Sequence, residues 1–251
     1  MNNDNNLLLS LTNGIRIIKF NRPSKRNALN SELYVQITRI LTEDSKNDNV
    51  VGTIFTGIGD YYTSGNDFRM EITSVERECD KVQAFISALI DYPKLLIAIV
   101  NGPAIGVGVT TLAFFDIVYA SDRATFQTPF VKVGLCAEGC SSYLFPRIMG
   151  KTRACEMLLL GKRFSAKQAC EAGLVSEVIP HGELENFLKQ ILQYGSLPLK
   201  SLLKSKKLIN DNVRQKLHEV NKREMAMVGE CIGSEEFLNF AIGFLSKKNK
   251  L

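Results

Sequence analysis

The chain has 251 residues, of which 45% are hydrophobic and 23% are charged, and its formal net charge is +5. This composition is sufficient for one large globular domain or a domain with a small appendage. The charge favours an anionic ligand. Nucleic-acid binding is not expected, because no Lys/Arg block is interleaved with aromatic residues and there is no Trp. The longest apolar run, Leu95–Val100, is too short to span a membrane.

The first half of the chain predicts a parallel sheet with crossover helices. Short apolar runs at 7–12 and 15–20 flank Asn13-Gly14, which is a strong hairpin signal. Buried strands are expected at 50–56, 95–100 and 117–120, and helices at 30–41, 82–90 and 109–115. Strands and helices therefore alternate as they do in an α/β fold.

After about residue 150 the pattern becomes helical. Helices are expected at 154–160, 166–172, 184–194, 198–210 and 213–228. There are no internal repeats and no linker. We therefore expect one α/β core, residues 1–195, followed by a helical C-terminal region, residues 196–251.

Six cysteines are spread along the chain, and none forms a Cys-x-x-Cys pair. Cys136 and Cys140 lie close together, but no nearby histidine or second cysteine pair completes a zinc site. We therefore expect reduced thiols and no metal site. The N-terminal segment has neither the apolar core of a signal peptide nor the Arg-rich face of a transit peptide.

Two glycine-rich turns each follow a predicted strand and precede a helical pattern. The first glycine turn is 62–68 and the second glycine turn is 101–108. Such turns expose backbone N–H groups, and a helix N-terminus adds a partial positive charge. Two N–H groups that converge on one point would form an oxyanion hole. Neither turn matches a dinucleotide or P-loop fingerprint, so nucleotide binding is poorly supported.

Six segments carry a resemblance to a known family. They are RNALN (26–30), SGNDF (64–68), NGPAIG (101–106), ASDRATF (120–126), GKRFSA (161–166) and AGLV (172–175). In order and spacing they resemble the enoyl-CoA hydratase/isomerase superfamily, the crotonases, from about Leu9 to the C-terminus. SGND and EGCSSY (138–143), followed by Phe145-Pro146, are similar to the peroxisomal Δ3,Δ2-enoyl-CoA isomerases.

The resemblance implies an α/β crotonase (ClpP-like) fold, in which stacked ββα units are followed by a helical C-terminal trimerisation region. The implied assembly is a homotrimer or a dimer of trimers. The implied substrate is an acyl-CoA, so that coenzyme A is part of the substrate and no separate cofactor is needed.

The resemblance also implies the residues of the site. The backbone N–H groups of Asn66 and Val107 would be the oxyanion donors. The residues expected to contact the CoA, the pantetheine or the thioester are Lys25, Arg26, Ala28, Leu29, Ser64, Gly65, Asp67, Phe68 and Gly106.

Two departures from the family pattern bear on the reaction. Hydratases use two glutamates to position water, and the matching positions here hold Thr110 and Phe130. The carboxylate that remains is Glu138, at the position used by the isomerases. Its apolar neighbours are expected to raise its pKa toward the working pH. We therefore predict a Δ3,Δ2-enoyl-CoA isomerase of fatty-acid β-oxidation, with Glu138 as the single base.

Two alternatives stay open at this point. The first is an enoyl-CoA hydratase, or another crotonase reaction, that uses an unfamiliar acid. The second is a non-catalytic CoA-binding module, similar to the crotonase-like domains linked to chromodomains.

Other polar residues are weaker candidates. His181 and His218, the only histidines, are expected on the solvated surface. Lys204, Lys206 and Lys207 could meet CoA phosphates, but a solvated helix face is the preferred interpretation.

The C-terminal Asn249-Lys250-Leu251 is similar to the Ser-Lys-Leu peroxisomal address. Together with the isomerase resemblance, it predicts the peroxisomal matrix and recognition by the peroxisomal import receptor. A mitochondrial or cytosolic location is the alternative.

Overall fold

The computed structural model describes residues 6–67 and 75–246. Its strands are β1 Leu7–Thr12, β2 Ile15–Phe20, β3 Gly52–Gly57, β4 Leu95–Val100, β5 Ala104–Ile105, β6 Ile117–Ser121, β7 Thr125–Gln127, β8 Phe164–Ser165 and β9 Glu177–Ile179. Its helices are α1 Ser31–Ser45, α2 Val75–Asp91, α3 Val107–Thr110, α4 Ser141–Met149, α5 Lys151–Leu158, α6 Ala166–Glu171, α7 Leu184–Ile191, α8 Leu199–Asp211, α9 Arg214–Ile232 and α10 Glu235–Ser246.

The main sheet has the strand order β1-β2-β3-β4-β6-β9. β1 and β2 are antiparallel, and the other neighbours are parallel. Asn13 and Gly14 join β1 to β2 with φ angles of 50° and 76°. Two consecutive left-handed residues match the right-handed twist of a hairpin, which explains why Asn-Gly is used here. A second, small sheet has the order β5-β7-β8.

The central strands are buried on both faces because helices cover each side of the sheet. Successive residues point to opposite faces, so Phe55 and Ala98 pack into the larger core with α1 and α2. Ile54 and Ile97 point the other way and pack into a smaller core with Phe187 of α7. Because both faces of these strands are buried, successive residues are mostly apolar, which explains the continuous apolar runs in the sequence.

The hairpin, the three buried strands and the alternation of strands and helices are confirmed. α2 begins at Val75, seven residues before the predicted start at 82. The helix predicted at 109–115 is the short α3, followed by a 3-10 turn at Thr111–Phe114. The elements missed are α4, α10, β9 and the small sheet. The strands among them have only two or three residues, too few for a periodic pattern, and α4 contains Pro146.

The expectation that Lys206 lies on a solvated helix face is wrong. It is 6% exposed, and its Nζ donates to Asp116 Oδ2 and to the backbone oxygen of Lys94, both at 2.7 Å. α8 places the ammonium against the start of β4, and the carboxylate compensates its burial. Burial lowers the pKa of Lys206, and Asp116 opposes that change.

All six cysteines are free thiols. Within residues 6–67 and 75–246, the structure contains no helix with the length and apolar character needed to cross a membrane.

Candidate active site

The candidate site lies at one edge of the main sheet, where the parallel strands β2, β3 and β4 end. The segments that follow these strands are 21–30, 58–67 and 101–107. In parallel α/β sheets, the loops at the carboxyl ends of the strands form the ligand-binding crevice. The three segments are joined to one another by hydrogen bonds.

Asn27 fastens the first segment to the second. Its side-chain amide donates to the backbone oxygens of Ile58 at 3.0 Å and Tyr61 at 2.7 Å, and its Oδ1 accepts from the N–H of Arg22 at 2.9 Å. Asn27 is fully buried and has a φ of 55°, a conformation that asparagine tolerates better than most residues. This side chain therefore joins segment 21–30 to segment 58–67 through two backbone oxygens.

The two glycine turns lie directly against each other. The N–H of Ile105 donates to the backbone oxygen of Thr63 at 3.0 Å, and that of Leu29 donates to the oxygen of Gly65 at 2.8 Å. Gly65 has a φ of +81°, and a Cβ there would lie 2.7 Å from the Ile105 oxygen. Only glycine permits this approach. It places Asn66 beside the start of α3.

The N–H groups of Asn66 and Val107 are free to bind a ligand. Gly106, with a φ of 57°, precedes Val107 at the first position of α3. In the described ranges, neither N–H donates to a protein acceptor. The first N–H groups of a helix lack acceptors within it, so they are available to a developing negative charge.

Glu138 lies in the loop before α4 and is 5% exposed. Its Oε1 accepts a hydrogen bond from Thr110 Oγ1 at 2.9 Å. Its Oε2 is buried and has no hydrogen-bond partner among the residues that the structure describes. Burial raises the pKa of Glu138 from 4.5 to about 8; the Thr110 hydrogen bond opposes the rise, and the charge of Glu224 adds to it.

Glu138 faces a mainly apolar cavity of about 110 Å³. The cavity is lined by Leu29, Tyr34, Asn66, Asp67, Glu78, Cys79, Val82, Leu135, Glu138, Met225, Val228, Ile232 and Phe237. The base candidate and one of the two candidate oxyanion residues thus share one cavity. Val107 is not among the lining residues; its backbone oxygen accepts a hydrogen bond of 3.4 Å from Thr110 Oγ1, the hydroxyl that also donates to Glu138.

Residues 10–250 match the family model for enoyl-CoA hydratase/isomerase. The chain belongs to the enoyl-CoA hydratase/isomerase family. It is 44% identical to "Enoyl-CoA delta isomerase 2" of Rattus norvegicus over 98% of its own length, and it spans 64% of that relative's length. It is 43% identical to "Enoyl-CoA delta isomerase 3, peroxisomal" of Mus musculus, covering 97% of the chain and 79% of that relative.

The crotonase fold expected from the sequence is also confirmed. A crystal structure of an enoyl-CoA hydratase/isomerase from Pseudoalteromonas atlantica superposes with a TM-score of 0.89 at 35% identity. The match covers 96% of this chain and 97% of the other. The mixed α/β body and the helical C-terminal region are therefore those of the family.

The predicted substrate contacts of this crotonase differ in where the structure places them. Leu29 and Asp67 line the cavity, and Asp67 also pairs with Arg22 at 3.1 Å. Lys25 and Arg26 are exposed on the surface. Of the remaining residues, Ala28, Gly65 and Gly106 are buried, Ser64 is half-buried, and Phe68 lies outside the described residues.

The two positions that hold glutamates in hydratases are occupied differently in this family member. Thr110 is fully buried and donates the hydrogen bond to Glu138. Phe130 is buried beside Gly106. Neither carries a carboxylate, so the two positions that hold glutamates in hydratases supply none here.

Sequence reasoning missed Tyr34 of α1. Its hydroxyl donates to Asn66 Oδ1, and it is 3% exposed. Burial raises the pKa of Tyr34, and the charge of Glu138 adds to the rise. The spacing of Tyr34 from the apolar residues Leu33 and Ile37 predicts that it lies on the buried face of α1, so its burial could have been predicted from the sequence.

Sequence reasoning also missed the cavity wall supplied by α9 and α10. These helices contribute Met225, Val228, Ile232 and Phe237. No local pattern distinguishes them from ordinary core residues. The boundary at 195/196 stays a prediction, and the cavity draws on both sides of it.

Proposed function

We propose that this crotonase is a Δ3,Δ2-enoyl-CoA isomerase of fatty-acid β-oxidation. It moves the double bond of a 3-enoyl-CoA to give the trans-2-enoyl-CoA. The observation that carries the proposal is the buried Glu138 carboxyl in the same cavity as Asn66. Identity of 43–44% to proteins named enoyl-CoA delta isomerase supports it.

The first step is removal of a proton from C2 of the substrate. Thr110 holds Oε1 of Glu138, so the unpartnered Oε2 is the oxygen that takes the proton. The electrons of the broken C–H bond move into a dienolate, and negative charge develops on the thioester oxygen. The N–H groups of Asn66 and Val107 stabilise that charge, each by roughly 3 kcal/mol.

The second step returns the proton to C4 and gives the conjugated product. One carboxyl carries the proton both ways, so Glu138 ends the cycle ionised, as it began. A pKa of about 8 for Glu138 suits both halves of this cycle near neutral pH. The reaction is an isomerisation with no net oxidation or reduction and no atoms gained or lost. The proposed mechanism therefore uses no metal, redox cofactor or added water.

The exposed Lys25 and Arg26 carry positive charge beside the first glycine turn, where the N–H of Ser64 donates to the Arg26 oxygen at 2.9 Å. We assign them to the phosphates of the CoA. Ala28, Leu29, Ser64, Gly65, Asp67, Phe68 and Gly106 would follow the pantetheine and the thioester.

The test compares the wild type with Glu138→Gln on 3-enoyl-CoAs of several chain lengths. A loss of general acid–base catalysis of roughly 10²–10⁴-fold is expected, with acyl-CoA binding retained in calorimetry. Glu171→Gln, which changes an exposed glutamate of α6, is the matched control and should keep full activity. Full activity of Glu138→Gln would reject the proposal.

The same preparations address the alternatives. Rapid formation of 3-hydroxyacyl-CoA from a 2-enoyl-CoA would favour a hydratase. Acyl-CoA binding without turnover of any unsaturated acyl-CoA would favour a non-catalytic module.

The proposed assembly is a homotrimer or a dimer of trimers built through the C-terminal helices. Large apolar side chains on α8 and α10 are at least half exposed in the single chain, namely Leu208, Ile209, Leu238 and Ile242. Light scattering coupled to gel filtration should give three or six times the mass of one chain. A monomer would contradict this assembly.

The proposed location is the peroxisomal matrix, reached through the import receptor. The name of the mouse relative supports it. The predicted signal, Asn249-Lys250-Leu251, lies outside the described residues. Deleting these residues should leave a tagged protein in the cytosol, and unchanged import would refute the signal.

A further inference from the structure

A second carboxylate, Glu224 of α9, is buried next to the loop that carries Glu138. Glu224 is 3% exposed. It accepts hydrogen bonds from the N–H of Cys140 at 2.6 Å, the N–H of Ser142 at 3.0 Å and Ser142 Oγ at 2.5 Å. These three contacts bridge more than eighty residues of sequence. Buried polar groups are nearly always hydrogen-bonded, and the three donors to Glu224 all belong to one short segment, which Glu224 therefore stabilises.

That local structure is the sharp turn between Glu138 and α4. Gly139 and Cys140 have φ angles of 65° and 58°, so two consecutive left-handed residues reverse the chain. The side chain of Cys140 makes no capping hydrogen bond to α4. Glu224 supplies the acceptor instead, and the positive end of the helix dipole favours its negative charge.

The same turn sets the position of Glu138. The N–H and Oγ of Ser141 donate to the Glu138 backbone oxygen at 3.2 and 2.7 Å. Glu138 is thereby tied to the first turn of α4, and Glu224 holds that turn. Loss of the Glu224 carboxylate would therefore loosen Glu138, which lines the cavity.

Glu224 is also an electrostatic neighbour of Glu138. After burial, its charge is the other influence that raises the pKa of Glu138, because like charges disfavour ionisation of both. Burial raises the pKa of Glu224 itself, while its hydrogen bonds and the charge of Arg223 oppose that rise.

Other groups also face Glu138. Thr110 of α3 bonds to it, and the titratable groups around the same cavity are Tyr34 of α1, Asp67 of the first glycine turn, and Glu78 and Cys79 of α2. The buried thiol of Cys140 lies on the turn itself.

We infer that Glu224 is a positioning residue for Glu138. Through the turn at 139–142 it aims the Glu138 carboxyl into the cavity, and its negative charge favours the protonated form that returns the proton to C4. This inference rests on the proposed isomerase function.

Three variants separate the positioning and electrostatic roles of Glu224 from a general contribution to the stability of the fold. Glu224→Gln removes the charge and one backbone acceptor at nearly constant volume. Ser142→Ala is the matched control, because it removes one hydrogen bond to Glu224 but keeps the charge and both backbone contacts. Glu224→Asp keeps the charge but withdraws the carboxylate from the turn.

The experiment measures kcat and kcat/KM against pH for the full chain, with unfolding temperatures of each variant. In Glu224→Gln, the acidic limb of kcat/KM should move to lower pH by about 0.5 unit or more, since a like charge is gone. The limb should stay in place in Ser142→Ala. In Glu224→Asp, kcat should fall several-fold with the limb little changed. An unmoved limb in Glu224→Gln, or a wild-type kcat in Glu224→Asp, would overturn the inference.

A titration that needs no turnover distinguishes this failure from failure of the proposed function. Carbon-13 NMR of labelled glutamates, with the Glu138 signal assigned by its loss in Glu138→Gln, reports its ionisation directly. The Glu138 midpoint should be lower in Glu224→Gln than in the wild type, and an equal midpoint would contradict the inference. Absence of isomerase turnover in the wild type would instead reject the function.

Discussion

Replacing Glu138 by Gln is expected to make the protein more stable at alkaline pH while reducing the proposed isomerase activity by roughly 10²–10⁴-fold. The native pKa of Glu138 is raised from 4.5 to about 8, mainly by burial. Between these two pH values, this carboxyl is mostly ionised in the unfolded chain and mostly protonated in the native protein, where a minor ionised fraction is available as the base. The contribution of Glu138 to the free energy of unfolding is therefore fully present below pH 4.5. It is lost progressively as the pH rises to the native pKa of about 8.

The size of the effect follows from the two pKa values. Each pH unit in this window changes the free energy of unfolding by about 1.36 kcal/mol for one proton. From 4.5 to about 8, Glu138 makes the wild type lose about 5 kcal/mol relative to a chain without this group. Gln cannot ionise, so the variant escapes the loss. A carboxyl kept in an apolar site thus lowers the stability of the protein at neutral and alkaline pH.

Urea unfolding of the wild type and Glu138→Gln at pH 5 and pH 9, at one protein concentration, measures this difference. The free energy of unfolding of the variant minus that of the wild type should increase by about 4 kcal/mol between the two conditions. Glu171→Gln, at an exposed site, should parallel the wild type. Parallel curves for Glu138→Gln, within about 0.5 kcal/mol, would refute a raised native pKa for Glu138.

Three further substitutions test the contact between the glycine turns, the ion pair of Lys206 and the hydrogen bond to Glu138. Gly65→Ala should cost about 1–3 kcal/mol of stability and reduce kcat, because its Cβ would meet a backbone oxygen of the second glycine turn at 2.7 Å; wild-type unfolding and kinetics would contradict this. Asp116→Ala should destabilise the protein by roughly 1.5–3 kcal/mol in urea unfolding, because it removes the ionic partner of the buried Lys206 ammonium. Adding Lys206→Met should recover much of that loss, and no recovery would contradict the ion-pair explanation. Thr110→Val removes the hydrogen bond that lowers the pKa of Glu138, so the acidic limb of kcat/KM should move to higher pH; an unmoved limb would show that the hydroxyl has no such role.

Local chemistry made much of the fold predictable. The Asn13-Gly14 turn, the apolar strands and the amphipathic helices can each be predicted from a short segment of sequence. Turn conformation and side-chain period depend on residues that are near one another in the chain. The short strands of the second sheet were not predictable. They exist because β7 lies between β5 and β8, which are distant in the sequence.

The site divides in the same way. Sequence alone identified the family, the single carboxylate Glu138 and the glycine turns, since backbone donors and sharp turns require particular residues at particular spacings. Only the tertiary structure placed Glu138 in one cavity with Asn66 and brought Tyr34 and Glu224 to them. Burial, and the pKa it raises, comes from elements far apart in the chain, and no local pattern records which of them will meet.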